Sequence, residues 1–189
     1  MSRVWIAALV GVVVVGGVAC GGDDDEESTD PTASSTTAAP TTTLDEETRK
    51  EEAATRALLD YYDAYQQATA EPVNPQHAEL QALVSGEHRQ VVTRNLEERQ
   101  ANGEAVRLPA GTQRSHDIRS AELQPDGSVE IVDCQVDDSI VYEVETGEVV
   151  DDDVVTKLVI GSMSFEGGTW KLAFSEITEA WPGVGACDG

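Results

Sequence analysis

Apolar residues recur with a helical period between residues 58 and 68. Their spacings of three and four predict one long amphipathic helix. Its apolar positions are Leu58, Tyr61, Tyr62, Tyr65 and Ala68. Thr43 and Glu46 form a capping-box pair at the start of this helix, and Pro72 marks its end.

Two shorter helices are predicted between Pro72 and residue 103. Asn74 is a candidate N-cap with Pro75 at the first helical position, and Ser85 is a candidate N-cap for the next helix. Asn102-Gly103 is the stop signal of that last helix. The apolar positions of the two helices are Leu80, Leu83 and Val84, then Val91, Val92 and Leu96.

The period changes to two in the second half, which is typical of strands. The apolar positions are Ile118, Leu123, Val129, Ile131, Val132, Cys134, Val136, Ile140, Val141, Tyr142, Val144, the run from Val154 to Phe165, and Trp170, Leu172 and Phe174 on one face. Turn signals separate them at Pro125-Asp126-Gly127, Thr146-Gly147 and Gly167-Gly168. Strands joined by short turns pair antiparallel. Helices followed by such strands predict an α+β domain over 44–189, with the helices packed on one sheet face.

The N-terminus has the pattern of an export signal. A short start containing Arg3 precedes a nearly unbroken apolar run, Val4 to Ala19, which is shorter than the about 20 residues of a spanning helix. Gly17-Val18-Ala19-Cys20 resembles the lipobox of bacterial lipoproteins, although Gly17 departs from the usual aliphatic residue. We expect residues 1–19 to be a signal peptide and Cys20 to be lipidated. The alternative is an uncleaved membrane anchor with an incidental cysteine.

Residues 20–43 read as a tether between that anchor and the domain. After Cys20 they contain Asp, Glu, Ser, Thr, Ala, Gly and two prolines, and no large apolar side chain. Such a composition predicts disorder, because it buries too little surface to offset its ordering entropy. The Ser/Thr-Pro content also permits glycosylation, but a plain spacer is the favoured interpretation.

The charge of the chain excludes one class of partner. The formal net charge is −24, so phosphate backbones and anionic headgroups repel the protein. We therefore expect no nucleic-acid partner, and membrane attachment through the lipid rather than through the protein surface.

The other two cysteines, Cys134 and Cys187, are expected to form a disulfide. An exported protein enters an oxidising compartment, where paired cysteines become oxidised. The bridge would hold down the glycine-rich tail that precedes Cys187. Two free buried thiols are the alternative.

Three segments together resemble the extracytoplasmic domains of actinobacterial lipoproteins with the nuclear transport factor 2-like fold. They are the helix Ala57–Tyr65, the strand Val132–Asp138, and the closing pair Gly168–Leu172 and Ala186-Cys187. The resemblance covers about residues 44 to 187 and implies a curved antiparallel sheet wrapped into a cone around helices. That superfamily includes polyketide cyclase-like and ketosteroid isomerase-like enzymes as well as non-catalytic binding or assembly domains, so the fold does not choose a function.

The resemblance implies that functional side chains project into the cone. The candidates are Tyr61, Tyr65, His116 and Asp133. His116 and Asp117 are neighbours on a strand and face opposite sides, so they form no dyad. The two tyrosines stand one helical turn apart and are favoured as core residues whose hydroxyls reach the surface. Asp133 is a possible general base, but a solvated aspartate on the outer face is the favoured interpretation.

No metal or cofactor is predicted. His77, His88 and His116 are scattered without ligand spacing. The acidic clusters Asp137-Asp138 and Asp151–Asp153 lack the spacing of a calcium loop and are interpreted as solvated turns. The sequence also has no glycine-rich phosphate loop and no Gly-x-Ser-x-Gly motif.

These observations predict a lipid-anchored protein on the extracytoplasmic face of a bacterial cell membrane. A non-catalytic binding or envelope-assembly role is favoured, with an envelope protein or a small apolar ligand as partner. The alternative is a small-molecule carrier, or an enzyme of the polyketide cyclase or ketosteroid isomerase kind, that uses the cone cavity.

Overall fold

The computed structural model describes residues 42–185 and Cys187. The predicted signal peptide, Cys20 and most of the predicted tether lie outside these residues. In the part of the chain that is described, no helix has the length and apolarity needed to cross a membrane.

Three helices precede the strands, as the periodicity predicts. They are α1 (Thr42–Thr69), α2 (Ala78–Leu83) and α3 (Gly86–Ala101). Ser85 and Asn102 stand at the two caps of α3, in agreement with the predicted signals. The predicted start of α2 is wrong. Asn74 caps a turn by accepting from Gln76 N at 3.0 Å, and the N-cap of α2 is His77, whose Nδ1 accepts from Leu80 N.

Seven strands follow in the described residues. They are β1 (Glu104–Arg107), β2 (Ser115–Leu123), β3 (Val129–Asp137), β4 (Ile140–Glu143), β5 (Val149–Asp151), β6 (Val155–Glu166) and β7 (Thr169–Pro182). The sequence predicts β2, β3, β4, β6 and β7 but misses β1 and β5. These two are short, and all of β5 is exposed, so neither carries a clear alternation of apolar and polar residues.

The strands form two antiparallel sheets. The larger has the order β2-β3-β6-β7 and the smaller the order β1-β4-β5. Every strand pair within them is antiparallel. The α+β class is therefore confirmed, with helices packed on antiparallel sheets. The strands form two sheets instead of the single curved sheet that the resemblance implies, and the cone shape stays a prediction.

The core lies between the helices and one end of the larger sheet. Its largest fully buried apolar side chains are Leu58, Leu80, Leu96, Ile131, Met163 and Leu172. Gly161 of β6 lies beneath α1, where an added Cβ would come 3.3 Å from Leu172 Cδ1 and 3.8 Å from Leu58 Cδ1. The absence of a side chain there lets α1 approach the sheet closely.

The C-terminal tail runs back over the opposite face of the larger sheet. After β7 the Gly183 N–H donates to the Val154 carbonyl, and the Gly185 N–H donates to Thr156 Oγ1 at 2.8 Å. Cys187 then forms a disulfide with Cys134 of β3, which confirms the predicted pairing.

Phe174 does not share a face with Trp170 and Leu172, so that prediction is wrong. Leu172 pairs with Met163 but Phe174 pairs with Ser162, so Ala173 is an extra residue in β7. This bulge reverses the alternation of faces. Phe174 is consequently 51% exposed, whereas Leu172 is fully buried.

Candidate functional site

A cleft of about 440 Å³ lies among α1, α3 and strands of both sheets. Its lining contains both polar and apolar side chains. The inner face of the larger sheet, which packs against the helices, forms the core at one end and carries polar side chains at the other. The apolar lining consists of three tyrosines of α1 together with Val106, Val136, Val141, Val155, Val159 and Ile177.

Those tyrosines are Tyr61, Tyr62 and Tyr65. The ring centroid of Tyr61 lies 5.4 Å from that of Tyr62 and 6.0 Å from that of Tyr65. Burial raises the pKa of all three hydroxyls. The nearby carboxylate of Asp133 adds to the rise in the pKa of Tyr62. The three rings therefore stay neutral at physiological pH and offer hydroxyls together with an aromatic surface.

Tyr61 and Tyr65 lie both at the core and along the cleft. Tyr61 is 7% exposed and belongs to the core, and half-buried Tyr65 packs against it. Both also line the cleft, so the same helical stripe supplies core contacts and part of the cavity wall.

His116 and Asp133 are brought together on the inner face of the larger sheet. His116 Nδ1 lies 2.8 Å from Asp133 Oδ2, and the imidazole stacks on the Tyr62 ring with centroids 4.2 Å apart. Gln135 Nε2 donates to Asp133 Oδ2 at 3.0 Å and also to the Tyr62 hydroxyl. Four side chains from α1, β2 and β3 thus form one connected network.

The favoured interpretation of Asp133 as a solvated outer-face residue is wrong, because its side chain is 1% exposed. Alternation does separate it from Cys134, as predicted. However, α1 covers the Asp133 face of β3, and the C-terminal tail covers the Cys134 face. Both faces are therefore covered at this point of β3, so alternation does not mark Asp133 as buried or exposed.

The His116–Asp133 pair leaves two buried atoms without a hydrogen-bond partner among the described residues. These are His116 Nε2 and Asp133 Oδ1. His116 and Asp117 do face opposite sides, as predicted, because Asp117 is exposed and pairs instead with Arg119 at 3.3 Å.

Basic side chains enter the cleft from three elements. Lys157 of β6 pairs with Asp137 of β3 at 2.7 Å. Burial by itself would raise the pKa of Asp137, but hydrogen bonds from Lys157 and Ser139 outweigh it and lower that pKa. Arg114 and Arg99 also line the cleft, from the segment before β2 and from α3. Arg99 Nη1 lies 3.7 Å from Glu104 Oε2, whereas Arg114 forms no ion pair with a carboxylate of the described residues.

A buried carboxylate holds the segment that carries Arg114. Asp138 is 5% exposed and accepts from Thr112 Oγ1 and the Gln113 N–H. The interpretation of Asp137-Asp138 as a solvated turn is therefore wrong. Asp151–Asp153 are exposed, as predicted, and Asp151 and Asp153 lie along the cleft.

Sequence reasoning missed the cleft residues Tyr62, Gln135, Arg114 and Lys157. Gln135 stands two residues from Asp133, so strand alternation alone would have placed it on the same face. Arg114 carries no such signal, because its position depends on Asp138 and α1, which are distant in sequence. Within the described residues no group of His, Cys, Asp or Glu side chains is arranged to hold a metal ion.

No protein-family model matches the chain. No curated protein matches it either. Among solved structures, the chain is similar to the crystal structure of the intermembrane space region of chloroplast protein ARC6, with a TM-score of 0.55 and 13% sequence identity. The similarity covers 67% of this chain and 95% of that chain. At this identity the similarity shows the fold alone, an α+β arrangement of helices packed on antiparallel sheets.

Proposed function

We propose that the protein is an extracytoplasmic lipoprotein, held to a bacterial cell membrane through Cys20, whose domain binds a small and largely apolar ligand. The observation that carries the binding role is the cleft of about 440 Å³, whose lining combines three tyrosines and several valines with polar and charged side chains. A concave site in which polar groups converge beside an aromatic and apolar surface is a common form of small-molecule site. Ligand binding is therefore favoured over a purely structural role in envelope assembly.

The localisation rests on residues outside the described part together with the disulfide. The pattern from Met1 to Cys20 favours export and lipidation. The Cys134–Cys187 bridge is consistent with an oxidising compartment. The acidic stretch after Cys20 would then space the binding domain from the membrane.

Membership of the nuclear transport factor 2-like superfamily is part of the same proposal. It is supported by three helices followed by antiparallel strands, and by a cavity between α1 and the inner sheet face. In a domain of that kind the cleft would correspond to the interior of the cone.

Retention of a ligand is the direct test of the binding role. Native mass spectrometry of the protein purified from its own membrane should show a small mass in addition to the acyl chains. Ser175→Trp, which fills the cleft, should abolish this retention. Ser162→Trp places the same side chain on the opposite face of the sheet and should leave retention intact. Retention of an envelope protein without any small molecule would instead favour assembly.

A second candidate function is catalysis, which the His116–Asp133 pair favours. A carboxylate that accepts a hydrogen bond from one imidazole nitrogen leaves the other nitrogen free to accept a proton as a general base. His116 Nε2 is buried, however, so this proton transfer needs a ligand that moves the Tyr62 ring or the imidazole itself. Incubation with a cell-envelope metabolite extract tests it. Consumption of a metabolite by the wild type but not by Asp133→Asn would favour the enzyme, and no consumption by either would exclude it under those conditions.

A further inference from the structure

Arg114 is a half-buried cation of the cleft with neutral partners. Its Nη1 donates to Gln66 Oε1 at 3.0 Å, and its Nη2 donates to the Tyr62 carbonyl at 3.2 Å. Among the described residues no carboxylate forms an ion pair with it. The guanidinium is therefore held firmly in position while its charge is uncompensated.

A second arginine of the cleft is also incompletely paired. Arg99 Nη1 lies 3.7 Å from Glu104 Oε2, beyond hydrogen-bond distance, and this nitrogen has no hydrogen-bond partner in the described part of the chain. The Arg99 charge acts on the hydroxyl of Tyr65, whose pKa it lowers against the larger effect of burial. Arg99 thus adds positive potential close to the tyrosine wall.

An arginine without an ion pair, such as Arg114, is unexpected in so acidic a protein. The chain has 36 acidic and 12 basic side chains, so an arginine has many carboxylates available as partners. Lys157 in the same cleft has one, Asp137. A partly buried guanidinium without a counter-ion loses hydration that neutral acceptors only partly replace. The missing counter-ion is thus expected to come from outside the chain.

We propose that the cleft binds a small aromatic carboxylate, with its carboxylate on Arg114 and its ring against Tyr61 and Tyr65. This rests on the proposed ligand-binding role of the cleft and specifies the ligand class. A guanidinium matches a carboxylate with two parallel hydrogen bonds. The tyrosine rings and the neighbouring valines supply an apolar surface for the rest of the molecule.

Two other carboxylates in the cleft set the orientation of this ligand. Asp151 and Asp153 are exposed, so water and salt screen their repulsion of an anion. Arg114 is half-buried, where a charge interaction is several times stronger than in bulk water. The ligand carboxylate is therefore expected to point inward to Arg114 and away from Asp151 and Asp153.

A matched pair of probes tests the charge requirement. Binding of 2-naphthoate and of its neutral analogue 2-naphthamide is measured by equilibrium dialysis of the full-length protein in detergent, with protein-free micelles as the blank. We expect the carboxylate to bind at least about tenfold more tightly than the amide, as for a hydrogen-bonded charge pair. The difference should shrink in Arg114→Gln and persist in part in Arg114→Lys. The control Arg94→Gln removes an exposed arginine of α3 outside the cleft and should change nothing.

The outcomes separate this inference from the proposed function. Equal binding of the two probes, abolished by Ser175→Trp, would overturn the carboxylate assignment and leave the ligand-binding cleft in place. Preference for the carboxylate that survives Arg114→Gln would also overturn it, because the anion would then bind elsewhere. Binding of neither probe, with no ligand retained from the membrane, would overturn both. The comparison of probes on the wild type does not depend on whether Arg114→Gln folds.

Discussion

Two aspartates on the same sheet, Asp133 and Asp117, have opposite environments. Asp133 is buried against α1 and accepts hydrogen bonds from His116 and Gln135, whereas Asp117 is exposed beside Arg119. A buried acceptor that serves two donors stabilises the fold mainly because its removal would leave both donors unpaired. An exposed ion pair contributes little.

Removal of the Asp133 carboxylate is therefore expected to be costly. Asp133→Ala should lower the free energy of unfolding by about 2 kcal/mol, because His116 and Gln135 lose a buried acceptor. Asp133→Asn retains an acceptor oxygen and should cost less. The control Asp117→Ala should change stability by no more than about 0.5 kcal/mol. Urea unfolding measures all three, and equal losses for Asp133→Ala and Asp117→Ala would contradict the burial argument.

His88 of α3 is expected to make stability depend on pH. Burial lowers the pKa of His88, and the ring lies 5.9 Å from Tyr61, centroid to centroid. The unfolded chain then binds more protons than the folded one between the folded pKa and the ordinary value of about 6.5. With respect to His88, the folded state is therefore most stable above about pH 6.5, and it loses stability as the pH falls from there to the folded pKa.

The measurement is urea unfolding of the wild type and of His88→Gln at pH 7.5 and at pH 5. The wild type should lose more stability on acidification than the variant, because glutamine does not titrate. The control Arg94→Gln changes an exposed position of the same helix that does not titrate in this range, and it should keep the wild-type loss. An identical loss in His88→Gln and the wild type would assign the pH dependence to other groups.

At the scale of elements, β3 is the strand on which the domain is organised. Its inner face contacts α1 and carries Asp133 and Gln135, while its outer face carries Cys134 beneath the C-terminal tail. The tail's other attachments in the described residues are hydrogen bonds to β6 and to Val154 just before it. The Gly183 N–H donates to the Val154 carbonyl, Thr156 Oγ1 donates to the Gly183 carbonyl and accepts from the Gly185 N–H, and Cys187 Sγ lies 3.6 Å from the Lys157 carbonyl. Among these attachments of the tail, the disulfide is the covalent one.

Loss of the disulfide is expected to destabilise the domain substantially. The bridge closes a loop with a sequence separation of 53, for which the chain-entropy model gives up to about 4 kcal/mol. Cys187→Ala should lower the free energy of unfolding toward that limit, measured by urea denaturation. Reductant should bring the wild type to the stability of the variant and leave the variant unchanged. An unfolding transition of the wild type that reductant does not shift would contradict this prediction.

At the scale of the whole molecule, charge is distributed unevenly. The chain has a formal net charge of −24, yet Arg99, Arg114 and Lys157 all line one cleft. The surface as a whole repels anions, whereas in the cleft these three cations balance the carboxylates of Asp137, Asp151 and Asp153. Such an arrangement favours a small anion that can enter the cleft over a large polyanion that must approach the whole surface.

Attachment of the molecule to a membrane is testable independently of the domain. Metabolic labelling with a palmitate analogue should mark the protein in its host, because the segment ending at Cys20 resembles a lipobox. The label should be lost in Cys20→Ser and retained in Cys187→Ala. Labelling that persists in Cys20→Ser would place the acyl group elsewhere and contradict the proposed anchor.

Local signals account for the parts of the fold that were predicted correctly. Helices α1 and α3, the caps of α3 and the turns between β2 and β3 and between β6 and β7 depend on residues close together in sequence. The errors at Asn74 and Phe174 have local causes that compete with those signals. Asn74 capped a turn instead of a helix, and a bulge at Ala173 reversed the faces of β7.

The sequence by itself determined the α+β order of elements, the pairing of Cys134 with Cys187 and the predicted export pattern. The order of elements follows from periodicity and turn residues, which are local signals. The disulfide follows from the number of cysteines that remain after Cys20. Only the tertiary structure decided that Asp133 is buried with His116, and that Arg114 shares a cleft with the tyrosines of α1. Burial and charge pairing depend on contacts between distant segments, whereas the alternation of side chains along a strand shows only which residues share a face.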